Sequence, residues 1–420
     1  MSGSVLPAFA KILGKILLFV VIGVCFAATI VPRYLDRLYY AGPESGHFDG
    51  EHFANPDGDD DTIRPPGGGG RASFFWRYLT GSDGRPLWPD TVPIRAARSG
   101  DLLPPLPSTP TPVAASSAEV ARTPMRVTWV GHASVLVQVP GFNILTDPVW
   151  AEKAGPLGFG PRRVARPGIA LADLPRIDLV LVSHNHYDHL DLATLQTIWR
   201  RDRPMIVTSL GNDAILRSRG IPAVAADWRQ WVAVRGRPQI APARYWNDTI
   251  RVAVTRNHHW GSRWFTDRNR ALWSSFVVHL PGGNVFFAGD TGFGDGRWPG
   301  EAAAFGPIRL ALIPIGAFRF VPGQMSSGSH IGPIQAAEVR ARLGATTAIP
   351  IHWGTFRLSY EQFRTPPALL KAVTACRGQR GFDMVRIGRP VDVAPYTPFR
   401  ERGAAGLAGC LNTPAVRSLR

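Results

Sequence analysis

A layered α/β fold is the expectation for this 420-residue chain, and three observations lead to it. Short apolar runs of the kind found in strands buried on both faces recur at 179–182, 250–254, 284–287 and 346–351. Each run ends close to a histidine or aspartate and a small residue, so one strand-then-polar-loop pattern appears four times. The composition is ordinary, 45% apolar and 19% charged, and the length is ample for a buried core.

At the N-terminus, KILGKILLFVVIGVCFAATIVPRYLDR carries two lysines and then an uncharged run over 16–32. That length is near the lower limit for spanning a bilayer and also suits a long signal-peptide core. Val24 before Cys25 makes a poor lipidation site, while Arg33, Arg37, Tyr39 and Tyr40 suit a membrane interface. An uncleaved signal anchor over 1–38 is therefore the preferred reading, and a buried core helix the competing one. It implies attachment to a bacterial inner membrane, with the body facing the periplasm.

An extension follows over 39–124, and two stretches in it read as linkers: PDGDDDTIRPPGGGGRA at 56–72 and LLPPLPSTPTPVAASSAEVARTP at 102–124. Between them, Phe74, Phe75, Trp76, Tyr78 and Trp88 suit an apolar cover over the main sheet or a lipid-facing patch. The main body is expected over 125–400, with 401–420 as a C-terminal tail. WVGHASVLVQV alternates as the strand that opens this body, and His132 within it suits a supporting or packing role more than ligation. Asp147, closing FNILTD, can orient a histidine or cap the following turn.

The next run, LVLVSHNHYDHLDLATL, sets histidines and aspartates directly after a buried strand. Polar groups lose hydration there unless something compensates, and a metal is the usual compensation. His184 and His186 share one side of an extended segment, while the turn after them brings Asp188 and His189 to a neighbouring point. One loop can therefore feed two adjacent ions. Further ligands are needed, and the later runs supply His258 and His259, Asp290, and His352. Asp290 is the natural bridge, because a carboxylate has two oxygens to share between cations and a neutral imidazole does not. Gly289 and Gly292 let the backbone turn sharply beside it.

Asp188 can hold an attacking water as well as bind metal. The leaving group needs an acid or oxyanion donor. His330, in SSGSHIGPIQAAE, is the candidate, on a loop entering a helix near Gln335; a structural loop residue is the alternative. His47, His52 and His279 have no convergent partners in the sequence and are assigned no function.

These residues carry a resemblance to the metallo-β-lactamase-fold hydrolases, whose HxHxDH signature is matched by His184 to His189. TWVGHASVLVQ, ILTDPVW, FGPRRV, HHW, AGDTGF and IHWGTF, with HFDGEHFANP upstream, resemble the branch containing N-acyl-phosphatidylethanolamine-hydrolysing phospholipase D and its bacterial relatives. The match keeps the family order over roughly residues 40–395. It implies a four-layer αββα sandwich with an N-terminal membrane segment. It also implies two zinc ions per chain, one on His184, His186 and His259 and the other on Asp188, His189 and His352, with Asp290 bridging both. The family commonly has Gln where this chain has His258; His259, which precedes the shared Trp260, is the ligand assigned. A substrate-side histidine in the matching loop supports His330.

Formal net charge is +16, with arginine far in excess of lysine, which favours lipid headgroups or nucleic acid as partners. The interval between His189 and His259 is too short for a nucleic-acid-clamping insertion, so no nucleic acid is expected. The function implied is a zinc-dependent, membrane-associated phospholipase D-type phosphodiesterase acting on N-acyl phosphatidylethanolamine-like phospholipids. A lactone, ester or β-lactam hydrolase of the same fold would use the same ligands. A non-catalytic metal-binding envelope protein is the reading from another class. The partners are thus a phospholipid or other small-molecule ester and a membrane surface, and the sequence sets no oligomeric state. Cys25, Cys376 and Cys410 are too few for a cysteine-rich zinc scaffold. In an exported body, Cys376 and Cys410 can pair or remain thiols.

Overall fold

The computed structural model describes residues 6–35, 39–58, 84–104, 116–234, 250–264, 266–321, 323–398 and 407–419. Within them the strands are β1 (Arg126–Gly131), β2 (Ser134–Val139), β3 (Phe142–Thr146), β4 (Leu179–Val182), β5 (Met205–Ser209), β6 (Val224–Ala226) and β7 (Trp231–Ala233). The others are β8 (Arg251–Thr255), β9 (Ser275–His279), β10 (Asn284–Phe287), β11 (Ile308–Pro314), β12 (Thr347–Ile351) and β13 (Val391–Asp392). They build two mixed sheets, ordered β13-β1-β2-β3-β4-β5-β6 and β12-β11-β10-β9-β8-β7. The four apolar runs of the sequence are β4, β8, β10 and β12.

Alternation along each strand sorts its side chains between layers. Leu179 and Leu181 of β4 point between the sheets, against a core that holds Val252 and Val254, Phe287 and Ile351. Val180 and Val182 face the other way, in a cluster with Leu195 and Ile198 of helix Leu192–Asp202. On the far side, Val277, Phe286 and Ile313 pack in a cluster with Trp298, Ala336 and Val339. Strands covered on both faces cannot be read as alternating polar and apolar, which is why they appear as continuous runs. The result is the αββα sandwich, with about 1.5–3 kcal/mol from each large apolar side chain fully buried.

Helix ends follow local chemistry. Asp191 caps helix Leu192–Asp202 by accepting from the Ala193 and Thr194 amides, and Arg203 ends it in the left-handed region. Helix Pro333–Leu343 begins two residues before the expected Gln335, because the fixed φ of Pro333 suits a first helical position.

Two parts of the extension pack on the body. Phe48 and Phe53 are buried in the core between the sheets. His47 places Nε2 2.8 Å from Asp227 and stacks on Trp228, so its place is a packing one. The Trp88 indole donates to the Glu361 carbonyl and packs edge-on against Phe363. Phe74, Phe75, Trp76 and Tyr78 lie outside the described residues, as does most of the 56–72 stretch and part of 102–124. Cys376 and Cys410 are joined as a disulfide, which ties helix Leu407–Leu411 to helix Thr365–Cys376. Helix Leu6–Leu35 contains Ala10–Val31, of mean hydropathy 2.5 and unburied, long and apolar enough by length and composition to cross a membrane.

Leu181 lies between the sheets at the end of the strand that delivers the HxHxDH loop. Leu181→Ala is expected to destabilise the protein by about 2–5 kcal/mol, through lost transfer energy and the cavity left behind. Urea unfolding of the variant measures this, and a change below about 1 kcal/mol would mean the two sheets do not share one core there.

Candidate metal centre

The loops after β4, β8, β10 and β12 meet at one edge of the sandwich. The meeting depends on close backbone approach. Gly289 has φ +61°, and a Cβ there would stand 2.6 Å from Ser183 Cβ, so glycine is what allows β10 to bring Asp290 against the β4 loop. A Cβ on Gly292 would stand 1.7 Å from the Gly328 carbonyl oxygen, on the loop that carries His330.

Two clusters result. In one, the ligand-type atoms of His184, His186, His259 and Asp290 all lie within 4.8 Å of one another. In the other, those of His132, Asp188, His189 and His352 do the same. Asp290 Oδ2 sits between them, 3.0 Å from both His189 Nε2 and His352 Nε2 and 4.0 Å from both His184 Nε2 and His259 Nε2. All seven residues of the expected ligand set are therefore brought together. His258 is not among them: its Nδ1 turns to the Asp57 carboxylate, 3.0 Å away.

The residues around the clusters hold the rings in orientation. Asp147 accepts from His189 Nδ1 at 2.6 Å, from the Ser183 amide at 2.7 Å and from the Ser183 hydroxyl at 2.6 Å. His259 Nδ1 donates to the Ser329 carbonyl at 2.9 Å, and the Asn55 amide donates to the His259 carbonyl at 2.8 Å. His132 Nε2 lies 2.9 Å from Asp188 Oδ2, so it touches the cluster through that carboxylate. His330 Nδ1 stands 3.8 Å from Asp290 Oδ2, with its ring 5.1 Å from that of His259 and 5.5 Å from that of His352.

Burial sets the protonation of the rings. It holds His184 and His259 well below the usual imidazole range and lowers His132 and His186 to about 3. Burial opposes charge on His189 and His352 as well, but the Asp290 and Asp188 carboxylates prevail, putting His189 well above the usual range and His352 at about 9. Burial would likewise raise Asp188 and Asp290, yet the facing imidazoles hold both well below the usual carboxylate range.

The donor set suits divalent cations. His189 Nε2, His352 Nε2 and Asp290 Oδ1 are buried without a hydrogen-bond partner, a costly arrangement unless another group meets them. Tetrahedral ligand atoms at about 2.0–2.1 Å from a cation lie roughly 3.3 Å apart. His184 Nε2 and His186 Nδ1 stand 2.8 Å apart, and His184 Nε2 and Asp290 Oδ2 stand 4.0 Å apart.

Sequence reasoning missed Asn55 and Asp57, which lie about two hundred residues before the histidines they hold. The HFDGEHFANP segment was the signal for Asn55, and only as a resemblance, while Asp57 falls in the 56–72 stretch read as a linker, whose start instead packs against His258.

Residues 142–353 match the family model described as the Beta-lactamase superfamily domain. A Caenorhabditis elegans protein named N-acyl-phosphatidylethanolamine-hydrolyzing phospholipase D 1 is 36% identical over 243 residues, covering 57% of this chain and 67% of the worm protein. An uncharacterised Mycobacterium tuberculosis protein is 34% identical over 278 residues, covering 63% of this chain and 68% of its own length. Among solved structures, Igni18, a metallo hydrolase of Ignicoccus hospitalis, aligns at 22% identity with a TM-score of 0.47, covering 64% of this chain and 98% of that one.

Two outcomes are expected of this geometry. His259→Ala should lose most bound metal by elemental analysis while His258→Gln keeps it; equal loss in both would contradict the geometry. A cation entering the clusters must also displace the protons of His189 and His352. Zinc affinity of the chelator-stripped protein should therefore rise with pH from about 6 toward about 9, at up to tenfold per unit for each proton released. Competition titration against a chromophoric chelator reads this, and a flat profile would contradict the protonation pattern.

Proposed function

This chain belongs to the beta-lactamase superfamily, and from that premise we propose that it is a metal-dependent hydrolase working as a zinc-dependent phosphodiesterase of the phospholipase D type. The observation that carries the reading is the pair of buried clusters meeting at Asp290. Its substrate class is an N-acylated phosphatidylethanolamine or similar phospholipid. Two features support that class: the identity shared with the worm phospholipase, and an apolar helix able to hold the chain at a bilayer. The disulfide suits an oxidising compartment and supports a body on the periplasmic side.

In this reading His184, His186 and His259 would hold one ion and Asp188, His189 and His352 the other, with the Asp290 carboxylate available to both. When bound there, the two ions supply a hydrolytic nucleophile at neutral pH and Lewis acidity toward a phosphoryl oxygen. The chain's own residues do the positioning. Asp188 accepts a hydrogen bond from the attacking water, and His132, 2.9 Å from its Oδ2, fixes the carboxylate's rotation. Asp147 fixes the His189 ring in the same way.

His330 serves the leaving group. Its backbone is pinned by reciprocal bonds with Ser327: the His330 amide donates to the Ser327 hydroxyl, and the Ser327 amide donates to the His330 carbonyl. Burial lowers the imidazole to about 4, so at neutral pH it acts as a neutral N–H donor to the departing oxygen. No serine or cysteine nucleophile enters the scheme.

The test is a hydrolysis screen of metal-loaded protein with and without chelator. N-acyl phosphatidylethanolamine and bis(p-nitrophenyl) phosphate should both be cleaved, while a lactone and a cephalosporin included in the screen are spared; the reverse order would overturn the phosphodiesterase reading. His330→Ala should cut kcat by about a hundredfold with metal content unchanged. Loss of metal from that variant would show that His330 is a structural or ligating residue instead.

A further inference from the structure

Beside the metal centre, but outside it, lies a cavity of about 290 Å³ with Lys153, Tyr187, Gln196, Arg219 and Arg263 in its wall. Three of these five are cations. One carboxylate, that of Asp191, also lines it, but this group is already engaged. It accepts from the Trp150, Ala151, Ala193 and Thr194 amides and from the Thr194 hydroxyl. The Arg263 guanidinium is held in place, donating to the Asn185 and Leu190 carbonyls and lying 4.1 Å over the Tyr187 ring. Lys153 and Arg219 have no ion-pair partner among the described residues. The mechanism proposed above uses none of these cations.

The position of the cavity relative to the membrane helix is set by a tether. Tyr39 donates its hydroxyl hydrogen to Asp267, and the same carboxylate accepts from the Arg263 amide. Helix Leu6–Leu35 ends four residues before Tyr39. Four residues span at most about 14 Å. The cationic wall therefore stands within reach of the point where the chain would leave a bilayer.

We propose that this cavity binds the headgroup phosphate of an anionic phospholipid in the leaflet where the N-terminal helix is seated, and so turns the adjacent metal centre toward that leaflet. The proposal rests on the membrane reading of the helix given above. It commits to a lipid as the source of the phosphate because the tether keeps the site within reach of the interface. Each basic side chain near an anionic surface favours contact by roughly fivefold in population. Screening by salt weakens the contact.

Lysine occurs only at positions 11, 15, 153 and 371, which makes amine labelling a direct probe. Lys371 is exposed on helix Thr365–Cys376 and serves as the internal reference. Full-length protein is inserted into vesicles of phosphatidylcholine alone or with phosphatidylglycerol as one lipid in three. Labelling is read by mass spectrometry as the Lys153 to Lys371 ratio. The ratio should fall by at least about fivefold in the anionic vesicles, and Arg219→Glu should restore much of it. Equal labelling in both vesicles, with the protein resisting carbonate extraction, would overturn the headgroup site while leaving the anchor intact. Protein extracted by carbonate would overturn the anchor and the site together. If inorganic phosphate protects Lys153 in phosphatidylcholine vesicles as well as phosphatidylglycerol does, the cavity is a free-anion site and the lipid proposal fails.

Discussion

A carboxylate buried among imidazoles is the constraint on which this architecture turns. Asp290 is 2% exposed, and its Oδ2 faces His184, His189, His259, His330 and His352 at 3.0–4.0 Å. An uncompensated buried charge costs several kcal/mol, so this residue is tolerable only if the other loops arrive with it. Each of those loops is delivered by a strand whose own burial is apolar and continuous. The sandwich thus supplies the apolar energy, and the polar edge fixes how the strands end. Gly289 joins the two requirements, because any larger residue would hold Asp290 away from Ser183 and the β4 loop.

From that edge, a second set of contacts spreads outward and decides orientation. Asp147 and Ser183 link β3 to β4 and point His189 inward. Ser329 does the same for His259 from the loop that also presents His330. Asn55 adds support from the extension, accepting from the Trp273 indole while donating to the His259 carbonyl. The extension is therefore part of the site's framework as well as the link to the N-terminal apolar helix. A centre held this way presents its side chains in fixed geometry before any substrate binds, which is how preorganised sites lower a barrier.

Much of this was legible in the sequence, and the rest was not for identifiable reasons. β4, β10 and β12 were readable because a fully buried strand needs no knowledge of its neighbours to be recognised. The histidines and aspartates after them were readable because crowding so many polar groups at the ends of buried strands is costly unless a cation gathers them. Partners far apart in sequence were not. Nothing in the sequence pairs His132 with Asp188, 56 positions on, or His258 with Asp57, 201 positions back. Backbone conformation was also hidden. His132, Asp147 and His352 all have positive φ, at 53°, 30° and 61°, in a region that favours glycine. Tertiary contacts impose it: the His132 amide donates to Thr355 Oγ1 and the His352 amide to the His132 carbonyl.

The central claim is that Asp290 stands between two cation positions that share the β4 loop and are completed by His259 and His352 from different loops. Anomalous diffraction from crystals of the zinc-loaded protein tests it most directly. The account predicts two peaks, one in bonding range of His184, His186 and His259, the other of Asp188, His189 and His352, both in range of Asp290. A single peak, or a peak held by His132 or His258 with Asp290 out of range, would contradict it.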